Sequence, residues 1–325
     1  MGSSLSVIAP RNVSKAFDEA AALADWRMFM ASQVAAGELA HATAMTYTRG
    51  MTKFLAWASD NGQTRIGPQA IRAWKAELLR NGYKPAGVNV MYAGVRAFFR
   101  WAVAEQGLAY DPTANVKGAR RTKSRKHKRD PLSDGEVLRL LAQPDASTPK
   151  GKRDRALLLL MAYTGIRTIE AQRAKVGDLH TNGHTKLFVH GKGRSEADEA
   201  VYLVQADLLD AIYSWLAVHP KGGELDAALF CGLSNRNYGG PLTSRALRGL
   251  VKGYMVAAGI RDPRKTAHSL RHTVVTNLIR HNVPPTKIMT VTRHHSLDTL
   301  LNYAHEVERD SDPAEGYVNY ERGQG

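Results

Sequence analysis

Arg153-Asp-Arg-Ala-Leu-Leu-Leu-Leu-Met-Ala-Tyr163-Thr-Gly165-Ile-Arg167-Thr-Ile-Glu170 decides how the second half of this chain is read. Residues 153–163 are apolar nearly all round a helical wheel, so the pattern predicts a helix at the centre of a core. Gly165 ends it. Arg167 and Glu170 then stand three apart at the start of the next helix, where a carboxylate can hold a guanidinium in one orientation. Taken alone, that pair is equally well read as a structural ion pair.

Around this helix the rest of a domain can be laid out. Ser133 and Glu136 have the Ser-x-x-Glu spacing of a capping box and open a helix just after Pro131. Leu187 and Val189, then Val201 and Leu203, alternate with polar neighbours on either side of Gly191-Lys192-Gly193, which predicts a β-hairpin with a glycine-rich tip. Helices are expected near 205–218, 243–258, 268–281, 284–292 and 297–304. Upstream, apolar residues recur at helical spacing in four stretches, carried by Trp26 and Phe29, Phe54 and Trp57, Ile71 and Trp74, and Phe98 and Trp101. These predict a small helical domain without strands, its aromatics serving as core. The fold class is therefore mainly α with a small β-hairpin or sheet in the second domain. The plan is a flexible 1–14, a helical domain 15–115, a linker 116–130 and a second domain 131–325 with a tail from 304.

The linker carries the first functional signal. The net charge is +15, and eight Lys/Arg against one Asp fall within residues 116–130: Lys117, Arg120, Arg121, Lys123, Arg125, Lys126, Lys128 and Arg129. Such a run is either a solvated tether or a strap for a polyanion, since lysine and arginine on phosphates gain from counterion release. Residues 304–325 have the opposite balance, six acidic against two basic. No run of about 18 apolar residues suggests a membrane span, and Met1–Pro10 lacks the pattern of a signal peptide. Cys231 is the sole cysteine, which excludes an internal disulfide and fits a reducing, cytoplasmic setting.

Four segments carry chemistry: Arg167 with Glu170, Lys192 on the hairpin tip, His268-Ser-Leu-Arg271-His272, and His294 followed nine residues later by Tyr303. Zinc fits poorly at His268 and His272, because Ser269 stands where a His-Glu-x-x-His site has its base and Arg271 would repel the ion. No phosphate-binding P-loop pattern occurs, so nucleotide hydrolysis is unsupported. No metal or cofactor is expected.

In this order, Arg167, Lys192, His268-x-x-Arg271, His294 and Tyr303 resemble the signature of the tyrosine recombinase (phage integrase) family. Thr43-x3-Tyr47-x6-Phe54-x2-Trp57 and Arg96-Ala-Phe-Phe-Arg-Trp101 look like its core-binding region, and Asp111-Pro112 like the start of its linker, so the likeness spans nearly the whole chain. One departure is Arg293, which stands where many members have glycine.

The resemblance implies a two-domain, C-shaped clamp on double-stranded DNA and strand cleavage without metal or ATP. Tyr303 would attack a phosphodiester to give a 3′-phosphotyrosine, with exchange through a Holliday junction. Arg167 and Arg271 would bind the non-bridging oxygens, for which a permanently charged, two-pronged donor is suited. A phenol with pKa ~10 needs a proton acceptor, the role implied for His268. His294 would bond the phosphate, Lys192 would protonate the leaving 5′ oxygen, and Glu170 would support Arg167. The protein would be monomeric off DNA and tetrameric on it through the tail, with accessory DNA-bending or directionality proteins as further partners. A type IB topoisomerase-like relaxing enzyme and a catalytically silent DNA-binding regulator remain the alternatives.

Overall fold

The computed structural model describes residues 4–8, 14–63, 65–120, 130–190 and 197–293, with 297, 300, 301 and 303. The chain divides into two units, Met1–Lys123 and Ser124–Gly325. Each has a hydrophobic core of its own.

The first unit is built on α1 (Glu19–Ala35), α2 (His41–Asp60), α3 (Pro68–Arg80) and α4 (Pro85–Glu105). Pro68 and Pro85 open their helices at positions where a missing N–H is not needed. The aromatics form the core, as their spacing indicates: Trp26, Phe54, Trp74, Phe98 and Phe99 are buried. They meet edge to face, with ring centroids 5.2 Å apart for Phe54–Trp74 and 5.3 Å for Phe98–Phe99. α2 and α4 cross backbone to backbone. A Cβ on Gly50 would lie 2.3 Å from the Met91 carbonyl oxygen, and one on Gly94 2.3 Å from that of Tyr47.

Two features differ from the sequence reading. The unit expected to be strand-free, with 1–14 flexible, contains a small sheet. β1 (Ser4–Ile8) pairs antiparallel with β2 (Ser14–Asp18) and parallel with β3 (Arg65–Ile66). Ser4-Leu-Ser-Val alternates as a strand does, but β3 is too short to show any period. The linker's first residues are also docked on this unit. Tyr92 Oη donates to the Val116 carbonyl at 2.7 Å. The Asn89 amide brackets the Ala119 backbone, accepting from its N–H at 2.6 Å and donating to its carbonyl at 3.0 Å. Lys75 Nζ donates to the Lys117 carbonyl.

In the second unit, Ser133 and Glu136 form the capping box of α5 (Asp134–Leu141). Next come α6 (Pro149–Thr164) and α7 (Thr168–Arg173), then a sheet in the order β4 (Leu179–His180), β5 (Lys186–His190), β6 (Ala197–Tyr202), antiparallel throughout. Leu187, Val189, Val201 and Leu203 face the core. The hairpin is the expected one; β4, of two residues, gave no period to read. α8 (Ala206–Leu216), α9 (Ser244–Ala257), α10 (Ala267–Arg280) and α11 (Pro285–Thr292) follow. α6 is central, with Ala156–Met161 all buried, and packs against α8 and α10. Among the described residues no helix is long and apolar enough to cross a membrane.

The α2–α4 crossing leaves no space for a methyl group. Gly94→Ala should destabilise the first unit by about 1–3 kcal/mol, as overpacking does. Urea unfolding of the full chain, followed by tryptophan fluorescence, reads this. An unchanged midpoint would show that the two helices separate freely.

Candidate active site

The site is assembled from the ends of helices. α6 stops at Gly165, whose φ of 59° is left-handed and suits a residue without a Cβ. The chain turns through Ile166, and Arg167 caps α7. There the Arg167 N–H donates to Glu170 Oε2 at 2.8 Å, while its Nη1 donates to Glu170 Oε1. The expected pair therefore forms, and Glu170 is only 1% exposed.

Arg271, on α10, reaches the same place. Its Nη1 donates to the Gly165 carbonyl at 2.8 Å and its Nη2 to the Thr292 carbonyl. Arg167 Nη2 donates at 2.7 Å to the next carbonyl along, that of Arg293. Both guanidinium groups thus sit on carbonyls at the C-terminal end of α11, and Arg271 also caps α6. Unpaired carbonyls at helix C-termini carry partial negative charge and favour cations.

Charge is concentrated here. Burial pulls the Arg271 guanidinium down to about 9, and the charges of Arg167 and Arg293 push in the same direction. It remains protonated at neutral pH. Burial alone would raise the Glu170 carboxyl, but the Arg293 charge and hydrogen bonds from Arg167 outweigh it and hold the group below the ordinary carboxylate range.

Tyr303 is buried at 5% exposure against Val275, Ile288 and Leu300. Its hydroxyl lies 3.3 Å from His272 Nε2. His268, assigned as proton acceptor from the resemblance, is exposed one turn back, its ring edge-on to that of His272 with centroids 4.9 Å apart. Among the described residues the ring next to the hydroxyl is thus His272, to which the sequence reading gave no role. Arg293 is the other omission; it entered that reading only as a departure from the glycine pattern. Lys192 and His294 lie outside the described residues, as do Arg121, Lys123, Arg125, Lys126, Lys128 and Arg129. Lys117 and Arg120 are exposed on the first unit. Among the described residues no three His, Cys, Asp or Glu side chains group as metal ligands.

A model of the phage integrase family matches residues 131–309, and one of the phage integrase N-terminal SAM-like domain matches residues 29–106. This chain belongs to the phage integrase family. It is 30% identical over 298 residues to the tyrosine recombinase XerC of Rhodospirillum centenum, which covers 88% of this chain and 83% of the relative. Against the tyrosine recombinase XerD of Lacticaseibacillus casei the figures are 29% over 269 residues, 82% of this chain and 88% of the relative. The XerH recombinase bound to a difH substrate superposes with a TM-score of 0.68 at 21% identity, covering 84% of this chain and 79% of the other. A lambda integrase tetramer bound to a Holliday junction gives 0.64 at 17% identity, covering 90% and 79%. These structures share the two-domain fold. The phage integrase chain is accordingly a site-specific DNA recombinase of the tyrosine type, mostly helical with a three-stranded antiparallel sheet.

Glu170 is the carboxylate between Arg167 and Arg293, so its loss leaves the half-buried Arg167 without a carboxylate and the buried Arg293 with only the more distant Glu199. Glu170→Ala should destabilise the second unit by about 3–5 kcal/mol, as breaking a buried pair from one side does. A denaturant titration measures it. A loss below about 1 kcal/mol would mean that the helix-end carbonyls alone suffice to hold the arginines.

Proposed function

We propose that this recombinase cuts and rejoins DNA through a covalent 3′-phosphotyrosine on Tyr303 and exchanges strands through a Holliday junction. The observation that carries the reading is the grouping of Arg167 and Arg271 on the α11 carbonyls, within the same unit as a buried tyrosine whose hydroxyl meets a histidine. Two permanent cations are suited to the non-bridging oxygens of a phosphodiester and offset charge that builds up as the nucleophile adds.

The Tyr303 oxygen forms a bond to phosphorus and the bond to the 5′ oxygen breaks. The phenolic proton passes to the α10 histidines, His272 being in contact and His268 beside it and open to solvent. Lys192 protonates the departing 5′ oxygen, and His294 donates to the phosphate. One phosphoester replaces another, so the bond energy is kept and neither metal nor ATP is required. Rejoining is the same step reversed. The tail from Ala304 is acidic, and binds a neighbouring protomer rather than DNA in a tetrameric synapse. The tetrameric lambda integrase on a Holliday junction supports that arrangement by fold.

The decisive experiment is a denaturing gel of protein incubated with a nicked suicide duplex in EDTA. Wild type should give a covalent adduct, and Tyr303→Phe should bind the same site and give none, because affinity comes mostly from phosphate contacts elsewhere. An adduct surviving in Tyr303→Phe would move the nucleophile, with Tyr317 and Tyr320 the next to test.

The basic strap is proposed to track the DNA backbone. Replacing Lys123, Arg125, Lys126 and Lys128 with Gln should flatten the slope of log K against log salt by roughly 3 to 4, if each neutralises one phosphate. An unchanged slope would make the segment a solvated tether.

A further inference from the structure

We infer that Arg293 is a positioning residue for strand cleavage: its buried guanidinium shares Glu170 with Arg167 and so leaves the charge of Arg167 available to the DNA phosphate. This rests on the reading proposed above and adds a residue to it.

The backbone is the first sign. Arg293 has φ 55° and ψ 46°, the left-handed region, where side chains other than Gly, Asn and Asp are disfavoured. A strained backbone persists where surrounding contacts over-determine it. The contacts here belong to a side chain that is only 5% exposed. Nη2 donates to Glu170 Oε2 at 2.8 Å, Nη1 donates to the Val291 carbonyl at 2.8 Å, and Nε lies 3.7 Å from Glu199 Oε2 on β6. A long cation is not buried in this way without a charge to meet.

The charge count gives the consequence. Glu170 receives Arg167 on both carboxylate oxygens and Arg293 on one of them. Among the described residues, Arg167, Arg271 and Arg293 face Glu170 and Glu199, so these five groups together carry one net positive charge. Without the Arg293 side chain the remaining four described groups balance, and Glu170 becomes a buried carboxylate with Arg167 as its direct partner. Arg167 would then be drawn to Glu170 in competition with DNA. The main-chain role is separable: the Arg293 carbonyl that accepts from Arg167 Nη2 survives any substitution. Gly and Asn both tolerate the left-handed turn and both remove the cation.

The test uses the full chain and the suicide duplex, measuring the single-turnover rate of adduct formation at saturating protein alongside half-site affinity. Arg293→Gly and Arg293→Asn should each slow cleavage by ~10–100-fold, the scale on which losing a supporting partner acts, with affinity within about threefold, since this is one phosphate among many. Arg293→Lys should recover most of the rate by returning the charge. In a Glu170→Gln background, Arg293→Gly should change the rate by less than about threefold, because residues acting through a shared partner are not additive. Wild-type rates in both the Gly and Asn variants would overturn the assignment. So would an undiminished Arg293→Gly effect in the Glu170→Gln background, or a loss carried wholly by affinity. Should Arg293→Gly fail to fold, the Asn and Lys variants decide it on the same criteria. Absence of an adduct in wild type would instead refute the recombinase chemistry, and this role with it.

Discussion

One buried carboxylate organises the candidate site of the second unit. Glu170 is reached by Arg167 from its own helix start and by Arg293 from beyond α11. A carboxylate at this depth is unfavourable unless it is paired and hydrogen-bonded, and the arginines are equally unfavourable without it. Neither side of the pair is tolerable alone, so the segments carrying them are fixed to each other. The cluster ties the turn after α6 to the turn after α11, and approaches β6 through Glu199. Electrostatic satisfaction and placement of the groups proposed to bind phosphate are therefore one requirement.

Helix ends supply the other half of that requirement. α6 and α11 both terminate in left-handed residues, Gly165 and Arg293, which expose carbonyls that have no partner within the helix. Arg271 spans the two ends, from the Gly165 carbonyl to that of Thr292, and Arg167 takes the next carbonyl. Among the described residues these guanidinium groups are thus held by backbone and carboxylate of the protein itself. Donors fixed in advance need no reorganisation when charge develops on a phosphate, which is the physical basis of electrostatic catalysis.

The parts that could be read from the chain are those whose signal is local. The apolar α6, the capping box at Ser133 and the β5–β6 alternation each lie within a few residues, as does the Arg167–Glu170 spacing. The parts that could not be read join residues far apart. Arg293 and Glu170 are separated by 123 positions, and Tyr303 and His272 by 31. No periodicity encodes either contact. The left-handed turn at 293 was hidden for a further reason: its residue is an arginine, and the usual marker of such a turn is glycine. In the first unit, the docking of residues 116–119 depends on Lys75, Asn89 and Tyr92, which lie on helices earlier in the chain. A basic run with no apolar period reads as linker throughout, although its first residues are anchored.

Tyr303, the nucleophile proposed above, is held in a different way from the cations. Arg167 and Arg271 are fixed by charge-assisted bonds to Glu170 or to helix-end carbonyls, and α6 behind them lies in the large core of the unit. Among the described residues Tyr303 packs in an apolar cluster with Val275, Ile288 and Leu300, and its hydroxyl lies 3.3 Å from His272 Nε2. That division matches what each group must do in the proposed reaction. The cations have to stay where charge develops, and any slack there weakens them. The tyrosine must bond to phosphorus, remain attached while strands exchange, and leave again, so its oxygen has to travel. In that proposal, cations held by carboxylate and backbone allow the bond to be made and reversed without dismantling the groups that stabilise it.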